Sequence, residues 1–224
     1  MSDGVAGGIG ALGDGFVAEL EEAVEIALLY EGPLTSGAST HHGRVKHQIR
    51  SAFHSQLETF FDSRYQLRAL TLAELPKVTI RGSRVEAASI APGTHYAVPM
   101  RGFQFIPLVT RASGWIAQIH INLYRREDPG AIVHGGDLGA RLETLFGALR
   151  IPQKDSEIPA DEEPGDNPRR YCLLEDVALI TKAAVETHTL LVPVGDRERE
   201  TDVRLVLHVD IAPRRLYGGR DDRG

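Results

Sequence analysis

The run DLGARLETLFGALR, residues 137–150, decides how the rest of the chain is read. Its apolar residues Leu138, Leu142, Leu145, Phe146 and Leu149 recur three and four apart, the stripe of a helix laid against a core. Asp137 stands where an N-cap is wanted, its side chain suited to accept from the amides of the first turn. Gly139, Glu143 and Gly147 are spaced by four and stack along another side of the same helix. Glycine in a helix interior costs about 1 kcal/mol relative to alanine. The row therefore implies a close approach by another group, or the loss of larger side chains.

Downstream, residues 153–170 form an acidic loop broken by Pro159, Pro164 and Pro168. Between Gln153 and Asp166 it carries Asp155, Glu157, Asp161, Glu162, Glu163 and Asp166 against Lys154, a local charge of −5 within a chain total of −6. The remainder is close to neutral, so net charge neither demands nor excludes a polyanion, and the segment reads as a solvated loop. Two closing strands follow, Leu179 to His188 and Val203 to Ala212. The second alternates Val203, Leu205, Leu207, Val209 and Ile211 on one face.

Upstream, a strand from Val24 to Tyr30 ends at Glu31-Gly32-Pro33. Val45, Ile49, Phe53, Leu57 and Phe61 then mark a first helix. Another side of that helix carries Lys46, Arg50 and His54, a basic strip beside Arg44, His41 and His42. Phe103 to Val109 and Trp115 to Tyr124 read as an antiparallel pair joined near Ser113-Gly114, with Gln118, His120 and Asn122 on a polar face. The expected fold is α/β in the α+β sense: one domain with a single mixed sheet and two principal helices. It spans residues 21–214, between a flexible Gly-rich arm at 1–20 and a flexible tail at 215–224.

With 42% hydrophobic and 25% charged residues, the composition fits an ordinary globular domain. Cys172 is the only cysteine, which excludes an intrachain disulfide framework and favours a reducing compartment. No apolar run approaches the roughly 20 residues that span a bilayer, and the first residues lack the order of a signal peptide. The expectation is a cytoplasmic protein. Neither a zinc-ligand pattern nor a glycine-rich phosphate loop is present. His120 and His134 could reach a phosphate or act as a base, although a structural role is the simpler reading. Cys172 reads as a small buried thiol, Trp115 as core, and His208 with Asp210 as a pair on one strand face without a serine to complete a triad.

His134-Gly135-Gly136-Asp137, the helix ending Leu145-Phe146-Gly147-Ala148-Leu149, and Leu174-Glu175-Asp176-Val177-Ala178-Leu179-Ile180 together resemble the RusA-like family of Holliday-junction resolvases. The resemblance covers much of residues 134–188. In that family an Asp-x-Asp-Asn motif opens the helix, a lysine follows the asparagine by three, an Asp-Ala-Leu comes later, and an Asp-Asp pair sits on the next segment. Asp137 matches the first aspartate. Gly139 and Ala140 stand where the second aspartate and the asparagine belong, Glu143 replaces the lysine, and Gly147 replaces the aspartate of Asp-Ala-Leu. Asp176 matches the first member of the distal pair and Val177 replaces the second.

The resemblance implies a structure-specific endodeoxyribonuclease of DNA recombination and repair that uses Mg²⁺, but with its acidic motif degenerate. Mg²⁺ takes oxygen ligands in octahedral geometry. Asp137, Glu175 and Asp176 would be the residual catalytic set, with Asp137 and Asp176 as a weak metal site. Glu143 reverses the charge that the family's lysine would place near the phosphate. The preferred expectation is a catalytically impaired subunit that associates with DNA or docks a protein. The alternatives are an active Mg²⁺-dependent resolvase and a scaffold with no nucleic-acid role. Arg44, Lys46 and Arg50 would contact the phosphates of branched or duplex DNA, and the Gly139/Glu143/Gly147 face would receive a protein. The resolvase resemblance also implies a homodimer.

Overall fold

The computed structural model describes residues 24–36, 42–64, 69–71, 77–80, 83–86, 95–126, 137–194 and 201–213. In chain order the elements are β1 (Val24–Pro33), α1 (His42–Arg64), β2 (Ala69–Thr71), β3 (Lys77–Ile80), β4 (Ser83–Glu86), β5 (His95–Met100) and β6 (Phe103–Val109). They continue with β7 (Trp115–Arg125), α2 (Asp137–Leu149), β8 (Arg169–Leu174), β9 (Ile180–Thr189) and β10 (Asp202–Pro213). Single 3₁₀ turns lie at Asp155–Glu157 and Val177–Leu179. The expected arm, the tail and His134 fall outside the described residues.

The first sheet has the order β1-β10-β7-β9. The β1/β10 and β10/β7 pairs are antiparallel, and β7/β9 is parallel. Alternation dictates its two faces. Ile26, Leu28 and Tyr30 of β1, Ala117, Ile119, Ile121 and Leu123 of β7, and Val203, Leu205, Leu207, Val209 and Ile211 of β10 are all buried. Gln118, His120, Asn122 and Tyr124 lie on the opposite face. The second sheet has the order β2-β5-β6-β8, antiparallel at its centre and parallel at both outer pairs. β3 and β4 form a separate hairpin.

The architecture is thus a mixed α+β domain with two helices, but two mixed sheets replace the single one expected. The correction comes from β6 and β7, which do not pair. The turn between them closes as anticipated: the Gly114 amide donates to Arg111 O at 3.2 Å, Gly114 takes φ +69°, and Ser113 bonds both the side chain and the carbonyl of Thr110. Beyond it the strands part because β6 is apolar on both faces. Ile106 and Val109 enter the main core, whereas Phe103 and Phe105 join a smaller cluster with Ile151, Ile158 and Cys172. Such a strand is covered on both sides, while the half-polar β7 keeps one face open.

Val45, Ile49, Phe53, Leu57 and Phe61 of α1 and Leu138, Leu145, Ala148 and Leu149 of α2 belong to one core with the inner face of the first sheet. At about 1.5–3 kcal/mol for each fully buried large aliphatic or aromatic side chain, this stripe is what fixes α1. Polar side chains of the same helix finish the outer strands. Gln56 accepts from the Leu29 amide at 2.9 Å and donates to the Leu29 carbonyl at 2.7 Å on β1. His54 Nδ1 accepts from the Tyr171 amide at 3.0 Å on β8, and its ring stacks on Tyr171. Helix α1 therefore closes one edge of each sheet.

Candidate functional site

The acid pair Glu175-Asp176 sits at the corner between β8 and β9, facing the β6–β7 turn. The Glu175 amide donates to Val109 O at 2.9 Å, and the Arg111 amide donates to Glu175 Oε2 at 2.7 Å. Asp176 is engaged through both oxygens: Oδ1 accepts from the Ala178 amide at 2.8 Å, capping the short 3₁₀ turn, and Oδ2 accepts from Arg111 Nη2 at 3.0 Å. The Ala178 amide and the Arg111 guanidinium hold Asp176 below the usual carboxylate range. The Arg111 guanidinium thus places positive charge beside the carboxylate that the sequence reading assigns to a metal. Helix α2 starts at Asp137, whose side chain lies outside the described ones. Among the described residues no three His, Cys, Asp or Glu side chains are grouped to hold a metal ion.

The basic strip on α1 corrects the sequence reading. Arg50 is 2% exposed and takes no part in any solvent-facing surface. Its Nη2 donates to Gly147 O and its Nε to Arg150 O, both at 3.2 Å, while Nη2 lies 3.5 Å from Glu157. It is a cation at the C-terminal end of α2, where the helix dipole favours positive charge. Lys46 lies half-buried over Gly147, and burial lowers its pKa. Arg44 remains exposed but forms a two-oxygen contact with Asp161 at 2.9 and 3.1 Å. The three residues do not form a common phosphate-binding surface: one is a buried cap, one covers a glycine, and one is paired with the chain's own carboxylate.

The reason is that the acidic segment, although exposed along most of its length, is anchored against the fold. Ile158, in its middle, is buried in the smaller cluster. Glu157 forms a paired contact with Arg150 at 2.9 and 3.2 Å. Arg101 donates to the carbonyls of Ile158, Pro159 and Ala160. That arginine occupies a two-residue hairpin turn with Gly102, φ +48° and +80°, the left-handed pair that joins β5 to β6. Glu162 lies 3.7 Å from His47, which is buried against Phe103. The segment runs across α1 and supplies the negative charge that its basic residues face.

On α2 the two glycines have different explanations. A Cβ at Gly147 would lie 2.7 Å from Lys46 Cε and 2.8 Å from Nζ, whereas a Cβ at Gly139 would meet nothing within 4 Å. Glu143 is exposed between them. The face is therefore already occupied at one end and open at the other.

Elsewhere, His120 Nε2 lies 3.2 Å from Glu186, His188 stacks on Tyr124, and His208 stands opposite His120 in the register. Asp210 is exposed on the same open face of the first sheet. Burial pushes the Cys172 thiol up to about 12, which makes it an inert packing group. Trp115 is half-buried against the main core. Comparison with protein-family models, curated proteins and solved structures finds no match. The contacts that sequence reasoning missed are those made by Arg101, Arg111 and Arg150. An Arg-Gly step between two strand-like runs is the one local signal among them, since it marks a tight turn.

Proposed function

We propose that this chain is a non-catalytic, RusA-like assembly domain, a protein-docking subunit that keeps a resolvase-like framework without metal-dependent cleavage. The observation that carries this reading is the engagement of Asp176 by Arg111 and Ala178, which gives the residual acid a structural role. The cover of the acidic segment over α1 supports docking over DNA association, because a polyanion would have to displace Asp161 and Glu162 to approach Arg44 and its neighbours. The test is incubation of the full chain with four-way, duplex and single-stranded DNA, with and without Mg²⁺ or Mn²⁺. Neither cleavage nor salt-dependent binding is expected. Cleavage abolished by Asp137→Ala or Asp176→Asn would restore the nuclease reading.

A further inference from the structure

Arg44, His47 and Arg50 follow one another at intervals of three along α1, so they share a side of the helix. Each faces a carboxylate of the acidic segment: Asp161, Glu162 and Glu157. The three pairs are not built alike. Glu157 is shared by Arg50 and Arg150 and adjoins the buried Ile158. Beyond that anchor, residues 159–166 meet α1 through the exposed pair of Asp161 with Arg44 and the 3.7 Å approach of Glu162 to His47. An exposed pair holds a segment only weakly. The fit at His47 is also incomplete, since the residue is 4% exposed and neither ring nitrogen has a hydrogen-bond partner. A buried polar group in that state is costly, and a carboxylate placed closer than Glu162 would relieve it.

The backbone of the same stretch is gripped by Arg101, which donates to the carbonyls of Ile158, Pro159 and Ala160 at 2.8, 2.9 and 3.1 Å. Next to them the Glu162 amide closes a turn on Pro159 O at 3.1 Å. Arg101 thus holds peptide carbonyls, which any chain carries, while Arg44 contacts both oxygens of a carboxylate. That combination recognises an acidic peptide. Duplex DNA offers no such row of neutral acceptors, and Lys46 and Arg50, which would extend a track for phosphates, are engaged with α2.

We propose that residues 159–166 are a built-in occupant of a docking site on α1 and the β5–β6 turn, and that an acidic segment of a partner protein takes their place there. The exchangeable stretch lies between two fixed points. One is the buried Ile158, and the other is Pro168, whose carbonyl accepts from the Gln104 amide at 2.8 Å. Gly165, at φ +59°, lets the chain bend near the second of them. Release is therefore local and leaves Glu157, Arg50 and the smaller cluster in place. A tethered segment competes at an effective concentration of about millimolar, so a partner must bring more carboxylates or reach His47 more closely.

This inference rests on the docking reading and names the class of partner. The experiment is fluorescence anisotropy with a labelled synthetic peptide of residues 159–166, titrated with the full chain from micromolar to millimolar. Circular dichroism verifies that each variant folds. The chain carrying Asp161→Asn with Glu162→Gln lacks the resident carboxylates and should bind the peptide about tenfold or more tightly than the unsubstituted chain. Should that variant not fold, Asp161→Asn alone should move affinity in the same direction. Adding Arg44→Glu should abolish the gain, and a peptide with Asn and Gln in place of its acids should not bind. Glu163→Gln, at a position outside the three pairs, should match the unsubstituted chain.

Absence of peptide binding by the doubly substituted chain would overturn the inference, as would equal binding by the unsubstituted chain or a gain that survives Arg44→Glu. Salt-dependent binding of four-way or duplex DNA tighter than that of the peptide would overturn it too, by making the site one for phosphates. None of these outcomes involves cleavage. Cleavage of DNA that depends on Asp176 would instead remove the docking reading, whatever the peptide does.

Discussion

Arg50 Nη2 donates to the carbonyl of Gly147 at 3.2 Å, so a side chain from α1 finishes the last turn of α2. The same guanidinium reaches Arg150 O through Nε and lies 3.5 Å from Glu157. Helix, helix and acidic segment thus meet at one buried cation. This arrangement separates residues of similar chemistry on α1, and its consequences can be measured.

Replacing Arg50 by alanine should destabilise the protein by about 3–5 kcal/mol, because it leaves two helix-end carbonyls and Glu157 without their shared cation in a buried site. Arg44→Ala, which breaks an exposed pair with Asp161, should be indistinguishable from wild type in the same assay. Urea unfolding followed by circular dichroism checks both. Equal losses for the two variants would mean that burial of Arg50 does not govern the site.

The glycines of α2 yield a second contrast. Gly139→Ala should stabilise by about 0.5–1 kcal/mol, since the position is helical, exposed and open. Gly147→Ala gains the same helix propensity but must displace the Lys46 ammonium and its adjoining carbon. The gain at 147 should therefore be smaller in wild type than in a Lys46→Ala background. A double-mutant cycle by denaturant unfolding reads the difference directly, and additivity within error would show that Lys46 yields without cost.

Periodicity made both helices and the inner faces of β1, β7 and β10 legible, because a strand or helix against one core repeats its apolar residues at a fixed interval. It did not reveal which strands are neighbours. The sequence Phe103 to Val109 is compatible with pairing to β7, and only the need to cover both of its faces moves it to another sheet. β8 was hidden at the end of the acidic loop, since RRYCLL neither alternates nor carries a turn signal of its own. For the candidate site, spacing placed Lys46 and Arg50 on one side of α1 but could not say that α2 and residues 155–162 cover that side. The pairing of Asp176 with Arg111 joins residues 65 apart, a separation at which no local pattern operates.

Gln56→Ala should open the edge of β1. The substitution removes one bond to the Leu29 amide and one to its carbonyl, so a stability loss of about 1–2 kcal/mol is expected in urea. The freed edge should also promote self-association at high concentration, detected in light scattering as a mass above that of the unsubstituted protein. Gln56→Glu, which retains the acceptor but loses the donor, should fall between. An alanine variant with unchanged stability and mass would show that side-chain capping is not what protects this edge.

The pH dependence of stability follows from two histidines, His47, which is buried, and His54, which is half-buried. Burial is the main cause lowering the His47 pKa, reinforced by Arg50 and opposed by Glu162. Burial likewise lowers that of His54, with Glu58 opposing and Arg170 adding to it. His54 also favours its neutral form because Nδ1 accepts the Tyr171 amide. In the unfolded chain both imidazoles bind a proton near their ordinary value of about 6.5, whereas the folded protein resists that proton to lower pH. The unfolded state then holds more protons, so this contribution is intact above about pH 6.5 and declines as acid is added, by up to about 1.4 kcal/mol per pH unit for each histidine. Urea midpoints measured at pH 7.5, 6.5, 5.5 and 5.0 should fall over that interval. His54→Gln should be less stable at neutral pH, having lost the ring stack on Tyr171, but show a shallower decline. A parallel decline in the variant would assign the acid sensitivity to groups other than His54.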